Sequence, residues 1–210
     1  MLRYLPLLLI LCACGSRRGL TPPLSPEAEA AAYQAELSAT YLDPERSILS
    51  DTKRARLAAL GGLSFYPIDP AYHITAQLER YGEPKLLQMP TSSERTVEYL
   101  IYARANFELD GQSVSLDVLQ STNPYVPEEY KNLLFVPFRD ATSGSETYGG
   151  GRYLDVPLPE GNTLVLDFNR AYHPYCAYSL GYSCPVPPQQ NTLPVAVRAG
   201  VRTTDLGEDY

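Results

Sequence analysis

The apolar positions along this chain change their spacing twice. Tyr4 to Leu11 is a compact apolar run of Leu and Ile with one proline, Pro6. From Glu27 to Tyr41 the chain is rich in Ala and Glu, and Ser25-Pro26-Glu27 supplies a capping residue, a proline for the first helical position and an acid for the first turn. A second helical stretch is predicted from about Asp43-Pro44 to Leu60, with apolar Ile48, Leu49, Leu57 and Leu60, and Gly61-Gly62 to end it. From Leu63 onward the period becomes two. Tyr72–Leu78, Thr96–Ala103 and Asn106–Leu109 alternate as strands do. Asp110-Gly111 reads as a two-residue hairpin turn, returning through Ser113–Leu119. Leu133–Phe138 is a continuous apolar run, as expected of a buried strand. Glu160-Gly161-Asn162 turns the chain into Thr163–Phe168, and Leu193–Ala199 reads as the last strand. About seven strands behind one or two N-terminal helices predict a mainly β (α+β) domain, an antiparallel β-sandwich or barrel-like sheet. One globular domain is expected over 27–202, followed by a loose acidic tail over 203–210; there is no internal repeat.

The first apolar run is too short for the ~20 residues that span a bilayer. With Arg3 before it and small Ala13 after it, it reads as a cleaved signal. Leu11-Cys12-Ala13-Cys14 resembles the bacterial lipobox, so residues 1–13 are expected to be a lipoprotein signal peptide and Cys14 the acylated first residue of the mature chain. Residues 14–26, with Pro22, Pro23 and Pro26, would tether the domain to the lipid. Gly15 is not the Asp that often marks inner-membrane retention. In a bacterium with two membranes this favours the outer one, facing the periplasm.

The net charge is -7, from 17 Lys plus Arg against 24 Asp plus Glu, which argues against a nucleic-acid partner. The one basic cluster, Lys53-Arg54-Ala55-Arg56, reads as the solvated face of a helix. Trp is absent whereas Tyr numbers 17 and Pro 19, a balance that suits β-structure with defined loops.

Two segments have unusual composition. The first carries Asp140, Thr142, Gly144, Thr147, Tyr148, Gly151 and Arg152; the second runs from Asp167 through Cys176 to Cys184-Pro185-Val186-Pro187-Pro188 and Asn191. With Phe65–Asp69 upstream and Leu193-Pro194-Val195 and Ala199-Gly200 downstream, these stretches resemble the domain of unknown function 1684 family of uncharacterised bacterial proteins. The resemblance covers roughly 45–202. It departs from the pattern at His173, where Asn is expected, and at Val201-Arg202, where many relatives have Glu-Lys. It implies no activity.

Cys176 and Cys184 are the thiols left once Cys14 is acylated, with Cys12 lost in the signal, and in an exported protein they read first as a disulfide. Two free buried thiols is another reading. A third is a metal site of His173, Cys176 and Cys184, with a fourth ligand from Asp167, Asn191 or water. Asp167 and Asn169 are expected on one strand face, opposite Leu164, Leu166 and Phe168. With Tyr172, Tyr175, Tyr178 and Tyr182 nearby they could floor a pocket for sugars or small polar ligands, or be plain surface beneath a Tyr-rich loop. Gly149-Gly150-Gly151-Arg152 could hold an anion, but without a following helix or a Lys-Ser/Thr it reads better as a turn, with Arg152 paired to Asp140 or Glu146.

A nucleophile elbow is absent, and His73 alternates within a strand. Two functions follow. The favoured one is a non-enzymatic, membrane-anchored envelope domain that binds a small ligand or another envelope protein, with no cofactor. Its contacts would come from Asp140, Thr142, Glu146, Thr147, Tyr148, Arg152, Asp167, Asn169, Tyr172, Tyr175, Tyr178 and Asn191. The alternative is hydrolase-like or metal-dependent chemistry at the carboxylates near Asp140 and Asp167, with Asp155 a further candidate acid or base.

Overall fold

The computed structural model describes residues 24–207. The segment expected to be a signal peptide, Cys14, most of the expected tether and the last three residues of the tail therefore lie outside the described residues.

Helix α1 spans Pro26–Leu42, and the Ser25 side chain accepts from the Ala28 amide at its start. Helix α2, Asp51–Ala59, is shorter than predicted. Ser50 caps it by accepting from the Lys53 amide, while Asp43–Arg46 folds into a separate turn held by Glu45 N donating to Asp43 Oδ1. Seven strands follow: β1 (His73–Glu79), β2 (Lys85–Pro90), β3 (Thr96–Leu109), β4 (Gln112–Ser121), β5 (Leu133–Phe138), β6 (Arg152–Pro157) and β7 (Thr163–Asp167). The two alternating stretches around Ala103 form one long strand, β3, with its irregularity between Ile101 and Ala103. β2 and β6 were not read from the sequence. β2 is short, largely exposed and ends in a proline, and β6 begins with a buried arginine that breaks the apolar alternation.

All pairings are antiparallel, in the order β6-β5-β4-β3-β1-β7, with β2 added beside the first half of β3. The β3–β4 hairpin turns at Asp110-Gly111, both in the left-handed region (φ 50° and 71°), as a two-residue turn requires. The sheet curls into a nearly closed barrel. Its interior takes one side of each strand: Ala103, Ala105 and Phe107 from β3, Leu116 and Val118 from β4, Leu134, Val136 and Phe138 from β5, and Leu154 and Val156 from β6. A second, smaller core of Tyr41, Leu49, Leu57, Leu63, Tyr178 and Leu206 lies under the helices.

Three expectations are corrected. Leu193–Ala199 is buried at alternate residues but is not a strand. Its backbone serves side chains and loops instead: Val197 N donates to Asp140 Oδ2 and Arg139 O accepts from Leu193 N. The tail is not loose as far as it is described. Thr204 and Leu206 are buried, Thr204 Oγ1 accepts from Ser64 N, and Arg56 pairs with Asp205 at 2.7 Å. Lys53 is not on a solvated face; it is buried, and its Nζ donates to Tyr178 O. No described helix is long and apolar enough to cross a membrane.

Candidate functional site

The first motif segment folds into a buried knot. Arg152 begins β6, and its guanidinium is 1% exposed. Nη2 reaches Asp140 Oδ2 at 2.8 Å and Val197 O at 2.7 Å, while Nη1 donates to Ala199 O and Val201 O. Asp140 also accepts from the Thr142 amide and hydroxyl, the Ser143 hydroxyl and Val197 N, so its lone pairs are filled. Thr142 and Thr147 share a 2.9 Å hydroxyl–hydroxyl bond inside the same loop. Burial lowers the pKa of Arg152, and the charge of Asp140 opposes that shift. Gly151 has to be glycine: its φ is 95°, and a Cβ there would lie 2.6 Å from Phe138 O. Glu146 stands apart at the surface, where Arg198 and the Tyr66 hydroxyl hold it ionised and lower its pKa. Of the two carboxylates expected for Arg152, the structure therefore selects Asp140.

The second segment departs from its expected geometry. β7 ends at Asp167, and Phe168–Arg170 is a 3-10 turn, so Asp167 and Asn169 do not share a strand face. Asp167 Oδ1 accepts from Asn169 N and Nδ2, and the Asn169 amide exchanges two 3.0 Å bonds with the backbone of Asp69. Both residues are buried and tie Phe65–Asp69 to the barrel. Asn191 works similarly between strands. It accepts from Asp117 N and donates to Asp117 O and Pro137 O, bridging β4 and β5 where their direct pairing is confined to Leu119 and Phe135.

Beyond the turn, Tyr172 exchanges backbone bonds with Tyr153, and a disulfide joins Cys176 to Cys184. The loop is tied to the end of β2: Ser92 N donates to Cys184 O, and Ser183 Oγ donates to Thr91 Oγ1. His173 is 2% exposed; its Nε2 accepts from Tyr148 N, so the neutral ring carries its proton on Nδ1, facing the Tyr178 hydroxyl at 3.3 Å. Burial, helped by the charge of Arg152, pushes its pKa down to about 3. With the two sulfurs joined and both ring nitrogens engaged, His173, Cys176 and Cys184 are not arranged as a ligand set.

A cavity of about 740 Å³ opens between α1, the outer faces of β3, β5 and β6, and the Tyr-rich loop. Alternation in the strands builds its floor. Leu134 and Val136 point into the barrel, so Leu133 and Phe135 face out; likewise Tyr153 and Asp155 face out from β6. Tyr99 lies against Phe135 with ring centroids 5.4 Å apart, and Phe135 meets Tyr153 edge-on at 4.8 Å. Asp155 Oδ2 accepts from the Tyr172 hydroxyl at 2.6 Å. Burial raises the Asp155 pKa, against the opposing effects of that bond and of Arg170. Arg170, at the end of the 3-10 turn, lies over the Tyr33 ring of α1 at 4.9 Å. Arg46 and Glu36 pair at the exposed rim.

The predicted contact residues thus divide. Tyr172 and Tyr175 line the cavity, with His173 and Cys184 in its wall. Tyr178 is buried beside it against Tyr41. Asp140, Thr142, Thr147 and Arg152 belong to the knot, Asp167, Asn169 and Asn191 tie elements together, Glu146 is at the surface and Tyr148 packs edge-on to His173. Sequence reasoning missed Tyr33, Tyr41, Tyr99 and Tyr153 as cavity residues, and did not bring Asp155 and Arg170 together. The signal available was the abundance of tyrosine itself, 17 residues in a chain without tryptophan.

The family model described as protein of unknown function (DUF1684) matches residues 58–202, beginning within α2 and leaving α1 outside the match. An uncharacterised protein of Haloarcula marismortui, known from a solution NMR structure, shares 37% identity over 87% of this chain and 96% of its own, with a TM-score of 0.64. Among curated proteins nothing matches.

Proposed function

The chain belongs to the DUF1684 family, described only as proteins of unknown function, and on that footing we propose that it is a membrane-anchored envelope protein that binds a small polar ligand in the tyrosine-lined cavity. The observation that carries this reading is the cavity itself. Its volume of about 740 Å³ falls in the ~300–1,000 Å³ range of small-molecule sites. Its walls are largely aromatic and aliphatic, with Asp155, Arg170 and several tyrosine hydroxyls among the polar groups and the Arg46–Glu36 pair at the rim, the mixture by which such sites orient a ligand. Of the carboxylates considered for hydrolysis, Asp155 lines it without a second one beside it, since Asp140 is filled by Arg152 and its loop, and Asp167 caps a turn. Acylated Cys14 is the anchor in this reading, supported by the lipobox-like Leu11-Cys12-Ala13-Cys14 behind a short apolar run. Helix α1, one wall of the cavity, begins at Pro26, so a lipid on Cys14 holds the cavity close to the membrane surface.

Saturation-transfer NMR of the purified protein against a set of small hydroxylated ring compounds tests the site. Ser121 is an exposed residue of β4 on the cavity wall, and Ser121→Trp fills the space without entering the barrel core. Compounds that receive saturation from the wild type and lose it in Ser121→Trp are the expected result. No binding compound, or binding that the tryptophan leaves untouched, refutes the cavity as the site.

A further inference from the structure

The cavity wall holds several polar groups that the protein itself does not bond. Tyr33, Tyr41 and Tyr99 all line it, and their hydroxyls make no hydrogen bond among the described residues. Tyr41 is only 4% exposed. Tyr33 and Tyr99 are only partly buried and none of the three hydroxyls is sealed from the cavity, so each offers a donor and an acceptor to whatever fills it. Arg170 is the second group. Of the two arginines that line the cavity, Arg46 pairs with Glu36, whereas the Arg170 guanidinium rests on the Tyr33 ring and makes no ion pair or hydrogen bond among the described residues. Arginine's planar fork matches a carboxylate. The third is Asp155, whose Oδ2 is taken by Tyr172 while Oδ1 stays open to accept.

Resting on the reading of this cavity as a ligand site, we infer that its ligand class is the sugar acids: a hydroxylated ring whose carboxylate is bound by Arg170. The ring's hydroxyls bond to Asp155 Oδ1 and the three free phenols, and its apolar face lies on the aromatic floor of Tyr99, Phe135 and Tyr153. A purely aromatic or aliphatic ligand fits the floor equally well but leaves the phenols unpaired. A cationic one meets Arg170 with the wrong sign. At about 740 Å³ the cavity has room for more than one ring, so the terminal unit of an acidic oligosaccharide is accommodated.

The test compares glucuronate with glucuronamide, which share size and shape and differ in one charge, by NMR titration of the purified protein at neutral pH. Glucuronate is expected to bind at least tenfold tighter. Arg170→Gln, a change at a half-exposed turn position, is expected to abolish that difference and leave glucuronamide binding in place. Tyr99→Phe should weaken both ligands together. Equal affinity of the two, or a preference kept in Arg170→Gln, overturns the role of Arg170 and the acid class while leaving the cavity a ligand site. Binding of neither overturns the sugar-acid class, and the ring-compound screen against Ser121→Trp then decides separately whether the cavity binds anything.

Discussion

A buried histidine with one ring nitrogen accepting a hydrogen bond is held neutral, and His173 shows the consequence. In the unfolded chain it takes up a proton near its ordinary 6.5, in the folded protein only near 3. Between those values the unfolded state binds more protons. The contribution of His173 is therefore fully present above about pH 6.5 and is lost as pH falls towards 3. Urea unfolding of the wild type and His173→Asn over that window checks this. The variant, which can still accept from Tyr148 N, is expected to gain on the wild type by up to about 1.4 kcal/mol per pH unit; a difference independent of pH contradicts a neutral His173. Residue chemistry was partly legible beforehand. Arg152 was expected to pair with an internal carboxylate, and it does so with Asp140 at 2.8 Å. Lys53 shows the limit: within a basic run it looks solvated, yet burial against Tyr178 O is set by a loop 125 residues away.

Elements carry the next level. The disulfide closes a loop with a sequence separation of 8, and that loop forms one wall of the cavity and is stitched to Thr91–Ser93. Chain entropy alone assigns such a closure about 2–3 kcal/mol. A Cys176→Ser/Cys184→Ser variant is expected to lose that much in urea unfolding and to show faster amide exchange from Tyr182 to Cys184 and at Ser92. An unchanged midpoint means the serine bonds to β2, not the disulfide, hold the loop. β4 was legible from its alternation, because one face meets the core, and β5 from its continuous apolar run. β2 was not, since it sits at an edge with little to bury. Leu193–Ala199 shows the opposite failure: alternate burial mimics a strand while the backbone serves Asp140 and Arg152.

At the scale of the whole molecule, an acidic chain folds into a barrel and its helices, to which the proposed lipid anchor would be attached. In the proposed reading, acyl chains on Cys14 would carry the protein to membranes through their methylenes, at about 0.8 kcal/mol each. Wild type is expected in the detergent-rich phase on Triton X-114 separation and Cys14→Ser in the aqueous phase; equal partitioning of the two removes the anchor from the reading. Local order was settled by the chain alone: the helix start at Ser25-Pro26, the Asp110-Gly111 turn, the inward faces of the strands and the mainly β class each follow from short-range sterics and the period of apolar residues. The cavity was decided at long range. Tyr33, Tyr99, Asp155 and Arg170 come from a helix, two strands and a turn, and no spacing along the chain encodes their meeting. They are brought together because burying the barrel's inner face forces the alternate residues outward, where α1 and the disulfide-closed loop cover them.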